Sequence, residues 1–165
     1  MKKYEFTGET KEIRLLFRTA TLHRIRATVA FGIVEVGDLG GWIEKEENLS
    51  HEGKAWVCGD AKVWGNAKVW GNAEVCGDAE VFSASHVLVI GAIGSRNDFT
   101  TFYRDKDNEI TVKCGCFLGK IDRFLEKVTQ THGDSKYALV YRAAVEVAKL
   151  QIDLSGEAPK DADEE

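Results

Sequence analysis

A six-residue phrase, Val-x-Gly-Asp/Asn-Ala-Lys/Glu, recurs four times between Val57 and Glu80. An aliphatic first position, a Gly turn and a small fifth residue at a fixed period suit a triangular coil of short strands joined by tight corners. A meander of antiparallel strands is the alternative, but it would not require identical spacing. The coil predicts a core of inward-facing valines and alanines: Val57, Val63, Val69, Val75, Val81, Val87, Ala61, Ala67, Ala73 and Ala79.

This spacing resembles the hexapeptide-repeat left-handed β-helix. The resemblance implies a mainly β protein with a small α+β part, in which a short left-handed parallel β-helix of about three coils spans residues 45–90. We expect an N-terminal β element over residues 1–44, a β-hairpin plus two-helix module over residues 91–152, and a disordered acidic tail over residues 153–165.

The second position of each hexad points outward in such a coil. Three hexads complete one turn, so residues 18 apart stack, and Cys58 would lie above Cys76. Large apolar side chains would then face two of the three sides, which a lone soluble prism would not expose to water. We expect them to pack on the rest of the chain or on another subunit, in a homo-oligomer. The candidate interface residues are Trp64, Trp70, Phe82 and Leu88.

The phrase GDLGGWIEKEENLS, residues 37–50, precedes the hexads. Together they resemble a family of uncharacterised proteins encoded by phages and prophages of Gram-positive bacteria, in which a short β element, this Gly-Gly-Trp turn and a small β-helix occur together. Upstream of it, Leu22–Val29 and Ile33–Val36 are predicted strands. Small accessory phage proteins often interfere with host machinery, so the resemblance implies an inhibitor of host defence.

The charge of the chain limits the functions that it can have. The net charge of −5 lies entirely in residues 153–165, which hold six acidic residues and one Lys. The remaining chain has 21 basic and 21 acidic residues, so the charge gives no support for nucleic-acid binding. Residues 1–30 carry seven Lys/Arg against three Glu, which indicates either a solvated face or contact with an anionic partner.

Localisation follows from what the sequence lacks. No run of about 18 apolar residues could span a membrane, and the N-terminus has no apolar stretch of a signal peptide. We therefore expect a cytoplasmic protein, in the host bacterial cytoplasm if it is phage-encoded, with all four cysteines reduced.

The sequence after the repeat no longer has the hexad pattern. A strand is predicted at His86–Ile93, followed by a hairpin of Phe99–Arg104 with Glu109–Phe117. Two helices follow, and Gly133 ends the first. Their apolar stripes are Ile121, Phe124, Leu125 and Val128 in the first helix, and Tyr137, Tyr141, Ala144 and Ala148 in the second, for which Asp134 and Ser135 are the candidate caps.

A candidate anion site lies in the segment IGSRNDFTT. Backbone donors of a Gly turn, hydroxyls and a guanidinium together suit a phosphate or a carboxylate. The Lys-Ser/Thr of a Walker loop is missing, and a polar turn with one surface Arg is the alternative interpretation. The candidate ligand-binding residues are Gly94, Ser95, Arg96, Thr100, Thr101 and Tyr103.

Cys114 and Cys116 would project to the same side of a strand, and with His132 they form a candidate zinc site. A closed zinc site needs a fourth ligand, for which His86, His51 and Asp134 are available without a diagnostic spacing. Cys–His nucleophilic catalysis would need the pair within hydrogen-bond reach. The default interpretation is that the cysteines are small core residues, with zinc as the one possible cofactor.

These observations favour a non-enzymatic binding protein whose partner is a host protein or a small anionic ligand, such as a signalling nucleotide that the protein sequesters. Two alternatives stay open. One is a hexapeptide-repeat acyltransferase-like enzyme, although His51 and His86 lie at the ends of the repeat, and the other is a structural or oligomerisation protein.

Overall fold

The computed structural model describes residues 1–155 and the backbone of Lys160 and Asp161. The described strands form sheets of six, four and two strands, and two α-helices lie between the eleventh and the last strand. No helix in this part of the chain has both the length and the apolar character needed to cross a membrane.

The N-terminal part is a long antiparallel hairpin of β1 (Tyr4–Arg14) and β2 (Thr19–Ala27), to which β3 (Leu39–Ile43) adds beside β2. β3 then pairs in parallel with β5 (Lys62–Val63), and β5 pairs in parallel with β7 (Glu80–Val81). Part of the repeat therefore extends a sheet that the N-terminal hairpin begins.

The predicted strand at Leu22–Val29 corresponds to β2, whereas the one at Ile33–Val36 is wrong. That segment makes a turn held by an isolated bridge between Phe31 and Val34. Ile33 is 85% exposed and Val36 is 66% exposed, so Val34 is the one residue of this segment that packs in the core, which is too little to order a strand.

The basic excess of residues 1–30 is largely paired. On the hairpin, Arg26 forms a 2.7 Å ion pair with Glu5. At its turn, Arg18 binds Glu44 of the following segment, and their hydrogen bond holds the pKa of the Glu44 carboxyl below its usual range. These cations therefore serve cross-strand contacts on a solvated face.

The remaining hexad strands, β4 (Trp56–Val57) and β6 (Glu74–Val75), pair in parallel as a separate two-stranded sheet. Partners in β4–β6 and in β5–β7 are 18 residues apart, so the predicted stacking period is confirmed. The predicted inward valines and alanines up to Val81 are at most 1% exposed, and Val87 is half-buried.

The prediction of a short left-handed parallel β-helix is nevertheless wrong. Within the described residues, no sheet closes into a solenoid, because the hexad strands are only two residues long and divide between two sheets. The hexad that contains Val69 forms only an isolated bridge, with Leu49. At one edge, β5 pairs in parallel with β3, which the antiparallel N-terminal hairpin continues. The result is one mixed sheet, one antiparallel sheet and one two-stranded parallel sheet.

Two of the side-chain pairs one period apart meet, whereas Trp70 is 71% exposed and Leu88 packs under the helices. Trp64 stacks on Phe82 with ring centroids 4.9 Å apart. Cys58 and Cys76 form a disulfide with their Cα atoms 4.5 Å apart. The expectation that all four cysteines are reduced is therefore wrong for this pair, while Cys114 and Cys116 are free thiols.

The C-terminal part is a four-stranded antiparallel sheet covered by two helices. The elements are β8 (Val87–Ile93), β9 (Asp98–Arg104), β10 (Ile110–Cys114), β11 (Phe117–Lys120), α1 (Ile121–His132) and α2 (Lys136–Gln151), with strand order β11-β10-β9-β8. Two short 3-10 helices lie at Glu46–Asn48 and Ala84–His86. The predicted strand, the first hairpin strand and the two helices are confirmed: Gly133 ends α1, and Ser135 is the N-cap of α2. The prediction of one strand over Glu109–Phe117 is wrong, because Gly115, with a φ of +57°, makes a turn that divides it into β10 and β11, so Cys114 and Cys116 do not lie on a single strand.

This sheet lies between two cores. One face packs on α1 and α2. There Phe102 and Val112 of the sheet share a core cluster with Phe124 and Val145 of the helices. The opposite face packs on the repeat, whose core includes Tyr103. Residues of β9 thus alternate between a helix-facing and a repeat-facing side.

The predicted disordered tail, residues 153–165, is described only in part. Asp153 donates its backbone N–H to Ser85 O at 3.0 Å, and β12 (Lys160–Asp161) pairs with β1. Residues 156–159 and 162–165 lie outside the described residues.

Candidate functional site

A cavity of about 180 Å³ opens where the β8–β9 turn, the β10–β11 turn, α1 and α2 meet. Both groups of residues singled out from the sequence, the Ser95–Arg96 turn and the Cys114, Cys116 and His132 set, line this one cavity. The complete lining is Ser95, Arg96, Asp98, Cys114, Gly115, Cys116, Phe117, Phe124, Lys127, Val128, Thr131, His132 and Tyr141.

Gly94 fixes the position of the β8–β9 turn. Its φ of +78° lies in the left-handed region, and Asn97 N–H closes the turn by donating to Gly94 O at 3.3 Å. A Cβ at Gly94 would overlap the Tyr141 hydroxyl, so this backbone lies directly against α2. The turn is thereby anchored while Ser95 and Arg96 stay exposed at the cavity mouth.

The β10–β11 turn supplies the opposite wall. The Arg96 guanidinium lies beside its backbone, with Nη1 3.8 Å from the position of a Cβ on Gly115. Thr100 is buried and donates its hydroxyl to Cys114 Sγ at 3.4 Å, which orients that thiol. Cys116 is exposed at the rim.

The apolar wall comes from aromatic rings. Phe117 and Phe124 have centroids 5.4 Å apart, and Phe124 meets Tyr141 edge-on at 5.7 Å. His132 stacks on Tyr141 with centroids 5.7 Å apart. Burial raises the pKa of Tyr141, and the neighbouring Cys114 thiol raises it further, so its hydroxyl stays protonated as a donor.

The charge at the cavity mouth is predominantly basic. Arg96 and Lys127 both line it, against the single carboxylate of Asp98. In residues 1–155, neither Arg96 nor Lys127 forms an ion pair with a protein carboxylate. Two unneutralised cations beside an aromatic wall suit a ligand with an anionic group and a flat ring.

Two of the predicted ligand-binding residues face away from this cavity. The Thr101 hydroxyl accepts the backbone N–H of Glu74 at 3.1 Å. The Tyr103 hydroxyl donates to Cys76 O at 2.8 Å and accepts Cys76 N–H at 3.3 Å. Because both lie on the repeat-facing side of β9, they join the sheet to the repeat and do not contact a ligand in this cavity.

The predicted zinc site does not form. Within residues 1–155, no group of three or more His, Cys, Asp or Glu side chains is placed to hold a metal ion. Asp134, a candidate fourth ligand, is on the surface, 3.7 Å from Arg142. Cys114, Cys116 and His132 are instead wall residues of the cavity.

The histidines at the ends of the repeat are engaged in tertiary contacts. His51 Nδ1 accepts the backbone N–H of Lys3 at 3.0 Å, and its ring stacks on Tyr4. His86 is 2% exposed and accepts the backbone N–H of Phe82 at 3.1 Å through Nδ1. Burial lowers the pKa of both imidazoles, which favours their neutral forms in these contacts.

The candidate interface residues have different environments. Trp64 is 2% exposed and packs with Phe82 under the N-terminal sheet, in a cluster that includes Ile13 and Leu22. Leu88 packs against the core under the helices. Trp70 alone of the four is a large exposed group, at 71%. The chain's own N- and C-terminal parts therefore cover most of the predicted interface.

Apart from His132, sequence reasoning missed the α1 contribution to the cavity. Phe124, Lys127, Val128 and Thr131 line the cavity from the same face of α1 as His132. The signal was present, since i, i+3, i+4 and i+7 spacing places these residues together on a helix. What the sequence lacked was any indication that this face meets the β8–β9 turn.

A wider groove of about 460 Å³ lies beside the disulfide, between the loop containing Ile33 and the repeat. Its walls include Phe31 and Trp56, which meet edge-on at 5.2 Å. Its charges are mixed, and Lys113 is paired with Glu74 at 3.7 Å. The smaller cavity is therefore the better candidate for an anionic ligand.

The chain matches no protein-family model and none of the curated proteins with which it was compared.

Proposed function

We propose that this is a non-enzymatic binding protein whose cavity at Arg96 takes a small ligand with an anionic group attached to a flat ring. The observation that carries the proposal is the placement of Arg96 and Lys127, neither in an ion pair with a carboxylate of residues 1–155, beside the ring wall of Phe117 and Phe124. A mononucleotide or a cyclic nucleotide has this chemistry.

The cavity offers each part of such a ligand a matching group. The Arg96 fork can bind two oxygens of a phosphate or carboxylate, and Lys127 adds a mobile point charge. The hydroxyls of Ser95 and Tyr141 can bind polar edges, and the aromatic wall can stack on a base. At about 180 Å³ the cavity is smaller than the usual pocket for drug-sized ligands, so part of a nucleotide would extend into solvent.

The biological setting is proposed from the sequence. The GDLGGWIEKEENLS phrase and the hexads favour a phage-encoded protein that acts in the host bacterial cytoplasm. Sequestering a signalling nucleotide would there inhibit a host defence that depends on it. A reducing cytoplasm disfavours the Cys58–Cys76 bond, but parallel pairing of β4 with β6 still holds the two side chains together.

Binding without catalysis fits the side chains around the cavity. Nucleophilic or acyl-transfer chemistry would need a histidine base directed at a reacting group. The ring of His132 is stacked on Tyr141 and also lies 5.7 Å from the Tyr137 ring, while His51 and His86 are committed to backbone contacts.

Titration calorimetry tests the proposal with a panel of mononucleotides, dinucleotides and cyclic nucleotides, together with inorganic phosphate and citrate. We expect at least one nucleotide to bind, and Arg96→Ala to weaken it by roughly 10- to 100-fold because a charge-assisted bidentate contact is lost. Arg96→Lys should restore part of the affinity.

Arg123→Ala is the matched control, since Arg123 is an exposed arginine of α1 outside the cavity lining. It should leave affinity unchanged. If the protein binds a host protein in place of a small ligand, the whole panel will give no heat, and the small-ligand proposal fails.

A further inference from the structure

Helix α2 is apolar on two opposite faces. One face carries Ala138, Tyr141 and Val145 into the core under the sheet. The opposite face carries Leu139, Ala143, Val147 and Leu150, all exposed, at i, i+4, i+8 and i+11. A helix that is apolar on both faces is typical of one buried on both faces.

This second face, here called the α2 stripe (Leu139, Ala143, Val147 and Leu150), is strongly exposed in the isolated chain. Leu139 is 60% exposed, Val147 47% and Leu150 89%. Single exposed leucines are ordinary, but a continuous row along a helix of 16 residues marks an interaction surface.

The remaining tail is a poor cover for the α2 stripe. Residues 156–165 read GEAPKDADEE, in which five of the ten residues are acidic and the apolar ones are two alanines and a proline. Such a segment has too little apolar surface to match a row of leucines and valines. A second copy of this chain offers a more complementary surface.

The stripe is complementary to itself. In an antiparallel helix pair related by a two-fold axis, residues equidistant from the helix midpoint face each other. Leu139 then meets Leu150 of the second copy, and Ala143 lies near Val147. Beside them Arg142 faces Glu146, so each of these apolar and charged pairs occurs twice.

Arg142 and Glu146 would exchange exposed contacts for this one. Arg142 donates through Nη2 to Gly133 O at 2.9 Å and to Thr129 Oγ1 at 3.2 Å, and its Nη1 lies 3.7 Å from the exposed Asp134 carboxylate. Glu146 pairs at 3.5 Å with Lys149 on its own helix, an exposed contact of small energy that is easily exchanged.

We propose that two copies of this chain form an antiparallel homodimer through the α2 stripe. One helix pair buries less than the roughly 1,200 Å² of total surface typical of stable complexes, so the dimer dissociates on dilution. Tyr141, which lines the cavity, lies on the opposite face of α2, so the cavity stays open in the dimer.

Sedimentation velocity of the full-length protein over a wide concentration range tests the dimer. We expect the mean mass to rise with concentration from the 18.3 kDa of one chain toward twice that value. Leu150→Glu should weaken dimerisation by at least about 100-fold, because each dimer would bury the substituted carboxylate twice. Leu16→Glu is the matched control, since Leu16 is 87% exposed and lies in the β1–β2 turn.

A charge exchange tests the register. Glu146→Arg should weaken the dimer, and adding Arg142→Glu should restore it, whereas a different partner surface would not respond to the second change. A protein that is monomeric throughout, or a dimer that Leu150→Glu leaves intact, would overturn the proposal. Leu150→Glu should still bind the ligand of the cavity, so failure of the dimer and failure of the proposed function are distinguishable.

Discussion

Gly94 connects the backbone of a turn to the cavity wall. Its positive φ favours glycine, and the missing side chain leaves room for the Tyr141 hydroxyl. Gly37 has a similar φ of +91°, but a Cβ there would have no atom of the described residues within 4 Å. Comparing the two positions therefore distinguishes the effect of backbone strain from that of steric contact.

Gly94→Ala should therefore destabilise the protein by more than Gly37→Ala. The second change adds only strain of about 1 kcal/mol, while the first also displaces Tyr141 and should cost about 2–4 kcal/mol. Urea unfolding of both variants measures the difference. Equal losses would show that Tyr141 does not lie against the turn.

Lys3 is a buried cation that anchors the N-terminus to the repeat. It is 3% exposed, its Nζ donates to Ala55 O at 2.6 Å, and it lies 4.7 Å from the centre of the Phe31 ring. Burial lowers the pKa of this ammonium from 10.5 to about 8. The unfolded chain therefore holds a proton between about pH 8 and 10.5 that the folded chain lacks.

Folding stability should accordingly rise with pH in that window, by up to about 1.4 kcal/mol per pH unit. The buried Tyr4 and Tyr103, whose pKa values burial raises, oppose the trend only above about pH 10. Denaturant unfolding between about pH 8 and 10 measures it, with Lys3→Met as the control that lacks the titrating group. A wild-type curve parallel to that of Lys3→Met would contradict the account.

Among the elements, the repeat and the helices were the most predictable. A repeated hexad determines which residues lie one above another. The burial of the valines and the contact of Trp64 with Phe82 could therefore be predicted from spacing alone. Gly133 and Ser135 marked the helix ends because their backbone roles are local.

The sheets were less predictable because they depend on partners distant in sequence. β1 buries only Tyr4 and Ile13 well, so its many charged residues resembled a solvated face and gave no clear alternation. Its hairpin nevertheless supplies the sheet that the hexads extend, which is why a closed coil was the wrong expectation. The cavity depends on the same kind of contact, since tertiary packing brings Arg96 and His132 to the lining of one cavity.

The disulfide gives a prediction at the scale of elements. Cys58 and Cys76 are 18 residues apart, and closing a loop of that size stabilises a fold by about 3 kcal/mol. A reductant should lower the free energy of unfolding by up to that amount while the far-UV circular dichroism stays unchanged, because β4 and β6 remain paired. The double variant Cys58→Ala/Cys76→Ala should not respond to reductant. Wild-type protein that is equally unresponsive would show that the bond is not formed in solution.

At the scale of the whole molecule, the N-terminal sheet and the C-terminal sheet both pack on the repeat. The N-terminal sheet buries Trp64 and Phe82, and the C-terminal sheet attaches through Tyr103 to Cys76. In the described part of the chain, Trp70, another large side chain of the outward rows, is 71% exposed. Two tryptophans in the same hexad position thus have opposite environments.

Trp64→Glu should abolish folding or lower the melting temperature severely, because an unpaired carboxylate would be buried under the N-terminal sheet at a cost of several kcal/mol. Trp70→Glu makes the same chemical change at a 71% exposed position and should leave the melting temperature nearly unchanged. Differential scanning calorimetry compares them. Similar melting of both variants would mean that the N-terminal sheet does not cover the repeat.

The central claim is that the cavity at Arg96 binds a small anionic ligand, and nuclear magnetic resonance titration of isotope-labelled protein tests it most directly. Each nucleotide of the calorimetric panel is added in turn, and the amide signals that shift are mapped on the chain. The account predicts saturable shifts confined to the β8–β9 turn, the β10–β11 turn and the cavity face of α1, and their loss in Arg96→Ala. Shifts centred on the groove at Ile33 and Trp56, or no shifts with any nucleotide, would contradict it.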